Sequence, residues 1–157
     1  MKEKEMNKHQ FQTFHEEVSA RVLAKIESNN PPLPIDLIAQ DFFKYRLEIA
    51  EATIIELLLY YPSSPQEALN KAREICASKG HDYASEDNSF SNFFYCEKLQ
   101  ICSATQGILI RLCDKFSRLH NLIDLCKEPQ VADESHVDTL LDTINYIIIW
   151  LALESSK

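Results

Sequence analysis

The chain has 157 residues, with Lys and Arg totalling 16 against 24 Asp and Glu, for a formal charge of −8. That length supports one domain with its own core, without disulfide or metal staples. The acidic balance excludes duplex nucleic acid as the main partner, since phosphate neutralisation supplies most of such affinity, and leaves room for a small anionic ligand in a local basic pocket.

With two glycines and six prolines, tight reversals are scarce and long helices are expected. Phe11, Phe14, Val18, Val22 and Ile26 recur at helical spacing and predict a first helix, ended by Ser28-Asn29-Asn30-Pro31-Pro32. Pro34 can open a second, from Ile35 to Tyr60 with a break near Glu48, because the first turn does not need its missing N–H. Pro62 to Pro65 separate this from a third helix over Gln66 to Ser78. The polar stretch from Lys79 to Ser91, with Gly80 in it, reads as a surface loop. A short helix near Phe90 to Gln100 follows, then a long one from Ser103 to Cys126. Beyond Pro129, Asp133 or Glu134 starts the last helix, where an acidic first turn suits the positive end of the dipole. No strand-like alternation is bounded by turn signals. The expected fold is all-α, an orthogonal or up-down bundle of five or six helices, with residues 1–64 as an N-terminal helical extension packed on a core of residues 65–157.

Met1 to Phe14 is charged and polar, without the apolar core of a signal peptide. The apolar runs Ile54 to Tyr61 and Ile144 to Leu153 are shorter than the roughly 20 residues that span a bilayer. The five cysteines are odd in number and show neither a C-x-x-C pair nor zinc spacing with His, so they read as reduced, small core residues. A cytoplasmic protein without a membrane partner is expected.

Two charged stripes stand out. Glu134, Asp138 and Asp142 are spaced four apart, so they stack on one side of the last helix, with Asn145 three residues further on. Like charges at that spacing repel and call for a cation or for solvent, and oxygen ligands of this kind suit Mg2+ or Mn2+. Arg111, Asp114, Lys115 and Arg118 fall at i, i+3, i+4 and i+7 of the preceding helix. If the two helices pack antiparallel, the stripes face each other across a groove fit for a divalent metal and a phosphate, with arginine suited to phosphate oxygens. The plain alternatives are a solvated helix face and surface ion pairs worth a few tenths of a kcal/mol each. Lys79, Asp82 and Tyr83, with Asn88, Ser91 and Asn92, offer a cation, an aromatic face and amides for a base and ribose, or only a turn and a helix cap. No spacing supports a Ser/His/Asp or Cys/His arrangement, and the lack of a Gly-rich loop excludes P-loop and Rossmann chemistry.

The run Lys79-Gly80-His81-Asp82-Tyr83-Ala84, then Ser91-Asn92-Phe93, then Ile110-Arg111-Leu112-Cys113-Asp114-Lys115-Phe116-Ser117-Arg118-Leu119, then Asp133 to Tyr146 resembles the nucleotide-modification-associated domain common in phages and prophages. That family is similar to the MazG-like all-α nucleoside triphosphate pyrophosphohydrolases. The likeness covers about half of the chain, Ala68 to Leu153, and leaves the first 60 residues unassigned. It implies a bundle in which Asp114, Glu134, Asp138 and Asp142 hold Mg2+ or Mn2+ against a nucleoside or deoxynucleoside triphosphate. Asp114, Asp138 and Asp142 would serve hydrolysis to a monophosphate and pyrophosphate. Arg111, Lys115 and Arg118 would neutralise phosphate, while Lys79, Asp82, Tyr83, Asn92 and Asn145 approach the substrate. The chain departs from the MazG-like pattern in offering Asp114 among basic residues where two glutamates are usual. A homo-oligomer, dimer or tetramer, is also implied, with Ile147, Ile148, Trp150 and Leu151 as a surface to bury. Three readings stay open: a hydrolase, a nucleotide-binding or sequestering module, and a helical interaction protein without a ligand.

Overall fold

The structure is a computed structural model that describes residues 5–26, 31–85, 87–130 and 135–155. Among these residues it is all-α, with no strand.

Helix α1, Lys8–Lys25, starts with a capping box in which Asn7 accepts from the Gln10 N–H and the Gln10 side chain accepts from the Asn7 N–H. Helix α2, Ile35–Tyr45, has no cap of its own, and its first N–H groups are satisfied from a distance. Asp124 accepts from the Ile35 and Asp36 N–H groups at 3.0 and 2.9 Å, a carboxylate at the positive end of the helix. Arg46 then takes a φ of 46°, and a 3₁₀ turn over Arg46–Ile49 leads into α3, Ala50–Leu58. The expected break near Glu48 is therefore present, and it turns six anticipated segments into seven α-helices among the described residues.

Helix α4, Pro65–Tyr83, is capped by Ser64 and has Pro65 in its first turn. It continues through Lys79 to Tyr83, where a loop was expected, and the described residues from Ala84 to Phe90 form the non-helical remainder of that stretch. Gly80 sits on an open face where a Cβ would meet nothing within 4 Å, so it costs the helix only the intrinsic ~1 kcal/mol relative to Ala. Helix α5, Ser91–Lys98, is short, and α6, Ala104–Leu119, opens on a Ser103–Gln106 capping box and ends in a π turn over His120–Asp124. Helix α7, His136–Ser155, follows Ser135. The anticipated start at Asp133 or Glu134 lies outside the described residues.

Helix α7 is the hub: it lies along α6 and also packs on α4, α3 and α1. Lys115 meets Asp142 while Arg118 meets Thr139, so the sequence numbers run in opposite directions and the two helices are antiparallel. Leu140, Ile144, Ile147 and Ile148 are fully buried, each worth about 1.5–3 kcal/mol of hydrophobic stabilisation. The buried cluster is continuous from Val18, Ile35 and Ile54 to Ile108 and Ile144, so residues on both sides of position 64 share one core.

Three expectations are corrected here. Ile147, Ile148 and Trp150 are interior to the chain, not an outer apolar face awaiting a second copy. None of the cysteines belongs to the buried core: Cys113 and Cys126 are exposed, and Cys76, Cys96 and Cys102 are partly buried. By length and apolar content α7 is long enough to cross a membrane, yet 67% of that window is buried inside the chain, as in a core helix.

Candidate functional site

Helices α1, α4, α5, α6 and α7 surround a cavity of about 410 Å³, within the range of small-molecule sites. Helical spacing explains which side chains reach it. On α7, Asp142, Asn145, Tyr146 and Ile149 lie on one stripe; on α4, Cys76, Lys79, Gly80 and Tyr83 do the same. The continuation of α4 past Ser78 is thus what aims Lys79 and Tyr83 at the cavity. Asn92 and Phe93 enter from the first turn of α5, Arg111 from α6, and Lys8, Phe11 and Gln12 from α1.

Among the described residues the lining carries three cations, Lys8, Lys79 and Arg111, against one carboxylate, Asp142: three minus one gives a formal balance of plus two. In a chain of net −8 this is a concentrated positive patch. Arg111 lies over the Phe93 ring, 5.1 Å from its centroid, a cation–π contact that orients the guanidinium. Phe93 in turn meets Tyr146 edge to face, with centroids 6.3 Å apart. One wall is therefore aromatic with an arginine fixed against it.

Both oxygens of Asp142 are engaged: Lys79 Nζ donates to Oδ1 at 2.8 Å and Lys115 Nζ to Oδ2 at 3.3 Å. Burial by itself would lower the Lys79 pKa, but the hydrogen bond and charge of Asp142 outweigh it, and the ammonium is held above its usual range. Beside it, burial pushes the Cys76 thiol up to about 12, so Cys76 is an inert part of the wall.

Behind the lining sits a buried polar relay. Asn145 Nδ2 donates to the Ala72 carbonyl at 2.8 Å, which leaves Oδ1 to accept from His15 Nε2 at 3.0 Å. The His15 proton is thereby assigned to Nε2, and Nδ1 accepts from the Ser19 hydroxyl at 3.3 Å. Burial drives the His15 pKa down, and the bond to Asn145 only partly offsets it, so the ring is neutral at pH 7. This relay ties α1, α4 and α7 together at the floor of the cavity.

Of the residues singled out in the sequence, Lys79, Tyr83, Asn92, Arg111, Asp142 and Asn145 meet at the cavity. Asn145 does so with its amide already committed to the relay. Lys115 and Arg118 stitch α6 to α7, through Asp142 and through the Thr139 hydroxyl at 3.0 Å. Asp82 is exposed beside His81, and Asp114 is exposed on α6; neither lines the cavity. Asp138 exchanges hydrogen bonds with the Ser135 N–H and hydroxyl at 3.0 and 2.9 Å, which caps the start of α7. Asp114, Asp138 and Asp142 are thus not brought together as a metal-binding set, and Glu134 lies outside the described residues. Among the described residues no three His, Cys, Asp or Glu side chains converge, and the one cavity carboxylate is neutralised by two lysines. The described residues thus bring one of the four expected ligands, Asp142, to the cavity.

Lys8, Phe11, Gln12 and Tyr146 were not expected as site residues from the sequence. Tyr146 carried a readable signal, one turn beyond Asp142 on the acidic stripe. The α1 residues carried none, since nothing local says that the extension faces α4 and α7. Comparison of the chain with family models, curated proteins and solved structures returned no match.

Proposed function

We propose that this chain binds a nucleotide in the cavity, with the base against the aromatic wall of Phe93, Tyr146 and Tyr83 and the phosphates toward Arg111, Lys79 and Lys8. The observation that carries this reading is a net positive, aromatic-walled cavity of nucleotide size in a strongly acidic chain. Arginine and lysine meet phosphate oxygens with charge-assisted bonds, and stacking on aromatic rings serves any base. The resemblance to the phage and prophage nucleotide-modification-associated domain supports it further, since the quoted motifs contribute nine cavity residues: Lys79, Gly80, Tyr83, Asn92, Phe93, Arg111, Asp142, Asn145 and Tyr146. The account needs no metal held by the protein; Mg2+ or Mn2+ would arrive as the counterion of the phosphates.

Hydrolysis of a triphosphate to monophosphate and pyrophosphate is the second reading, favoured by the presence of Asp142 in the cavity wall. One experiment separates the two. Thermal melting is followed with a panel of ribo- and deoxynucleotides and their parent nucleosides, with Mg2+, with Mn2+ and with chelator, and pyrophosphate is read in parallel. Ligand at a hundredfold its Kd adds about 2.7 kcal/mol, or roughly 5–10 °C for a domain of this size. Binding predicts that shift for nucleotides, a far smaller one for nucleosides, and survival of the shift in chelator. Pyrophosphate release that chelator abolishes establishes the hydrolase instead. No shift with any nucleotide at millimolar concentration overturns both.

A further inference from the structure

The α5–α6 junction holds a feature separate from the cavity and not apparent in the residue spacing. Helix α5 ends in a Schellman motif: the Ile101 N–H donates to the Cys96 carbonyl at 2.9 Å and the Gln100 N–H to the Glu97 carbonyl at 2.9 Å, with Gln100 at a φ of 58°. This turn folds the chain back on itself, so that Cys102 returns to the side of Cys96. Both sulfurs then lie over Gly107 of α6. A Cβ on Gly107 would stand 3.3 Å from Cys96 Sγ and 3.6 Å from Cys102 Sγ, so the pair occupies the room that a missing side chain leaves. Glycine inside a helix costs about 1 kcal/mol relative to Ala, and at Gly107 the two thiols are what it accommodates. The Cys96 thiol also donates to the Phe93 carbonyl at 3.0 Å.

We propose that Cys96 and Cys102 form a dithiol that closes to an intramolecular disulfide on reaction with a low-molecular-weight disulfide of the glutathione class. Burial and contact with the Cys102 thiol hold the Cys96 thiol above its usual pKa, so the first attack falls to Cys102. Its thiolate attacks one sulfur of glutathione disulfide, a mixed disulfide forms, and one glutathione thiolate leaves. Cys96 then loses its proton and attacks Cys102 Sγ of the mixed disulfide, so that the Cys102–glutathione bond breaks and the second glutathione thiolate leaves. The two protein thiols give up two electrons and two protons, and one glutathione disulfide becomes two glutathione molecules. Closure removes the thiol donor from the carbonyl of Phe93, whose ring supports Arg111, so the bridge forms next to a cavity wall. The exposed Cys113 and Cys126 are not among the sulfurs over Gly107, and Cys76 is held protonated by burial.

The test uses the full chain carrying Cys113→Ser and Cys126→Ser; five cysteines less two leave three. Reduced protein is equilibrated anaerobically with glutathione and glutathione disulfide, quenched in acid, unfolded, alkylated and weighed intact. The proposal predicts one alkylated cysteine, no retained glutathione, a loss of about 2 Da for the bridge and a peptide map that links residues 96 and 102. Adding Cys96→Ser is expected to replace the bridge by a stable glutathione adduct on Cys102. Three alkylated cysteines under excess oxidant, a persistent adduct on the unmutated pair, or a bridge to Cys76 overturns the proposal. The readout is mass, so it stands or falls independently of nucleotide binding.

Discussion

Replacing Asp142 by Asn separates a salt-bridged wall residue from a metal ligand, because the two roles predict opposite signs. In the structure Asp142 is 16% exposed and accepts from Lys79 and Lys115. Asn keeps the shape and one acceptor but removes the charge, so the unliganded protein loses part of two ion pairs. Lys79 is 54% exposed and regains solvent easily, so the loss is about 1 kcal/mol, or roughly 2–4 °C in melting temperature. Ligand binding moves the other way. For a phosphate bound at the far side of Lys79, a separation on the order of 8 Å makes removal of the negative charge worth about 2 kcal/mol at an effective dielectric of 20, and salt screening reduces this to about 1 kcal/mol. Nucleotide affinity should therefore rise about fivefold, as Lys79 is released toward the phosphates. Calorimetric titration of both proteins, with and without Mg2+, measures the change. A tenfold or greater loss of affinity, together with loss of any Mg2+ dependence, refutes the assignment of Asp142 to the lysines and makes it a metal ligand.

Three further outcomes follow from the same geometry. Gln100→Gly removes the strain of a left-handed residue at the C-terminus of α5 and should stabilise the fold by about 0.5–1 kcal/mol in urea titration; destabilisation would contradict the Schellman assignment. Asn145→Ala leaves the buried His15 N–H without its acceptor and should cost about 2–3 kcal/mol, and a change within 0.5 kcal/mol would show that the relay is not structural. Because the folded pKa of His15 lies below its ordinary value near 6.5, the unfolded chain takes up a proton that the native state refuses as pH falls through 6.5. Stability contributed by keeping His15 neutral is thus complete above that pH and declines below it, by up to about 1.4 kcal/mol per pH unit. Urea midpoints from pH 7.5 to 5.0 should flatten in His15→Gln, and an unchanged slope would refute the account.

The all-α fold was legible because the outer helices bury one face each around a central helix that is apolar almost all round. Phe11 to Ile26 and Ile108 to Phe116 show 3.6-residue periodicity that survives in the structure as buried stripes, and Leu140 to Leu153, apolar on nearly every side, survives as the buried central helix. The junction near Glu48 was legible from the interruption of that pattern. The stretch from Lys79 to Tyr83 was misread, because polar residues and Gly80 on an exposed turn carry no burial signal, while upstream packing of Leu69 and Ala72 suffices to propagate the helix. The acidic stripe was a correct observation of spacing whose partners are nonlocal. Asp142 meets Lys79, 63 residues away, and Asp138 meets its own cap. Spacing on one helix fixes a face; which neighbour covers that face is decided by tertiary packing. The same holds for Lys8 and Phe11, whose place in the cavity depends on α1 lying against α4 and α7, and for the cysteine pair, which the turn at Gln100 creates.

Arg111 is the one guanidinium in the cavity among the described residues and is held against Phe93, whereas Asp114, one turn along the same helix, is exposed and outside the cavity. Titration of Arg111→Ala and Asp114→Ala with the nucleotide that gives the largest melting shift tests the binding site most directly. Loss of one charge-assisted phosphate contact, worth about 1.5–3 kcal/mol, predicts at least tenfold weaker binding for Arg111→Ala and an unchanged Kd for Asp114→Ala. Equal affinities for the two variants, or a loss confined to Asp114→Ala, would contradict a nucleotide held in this cavity.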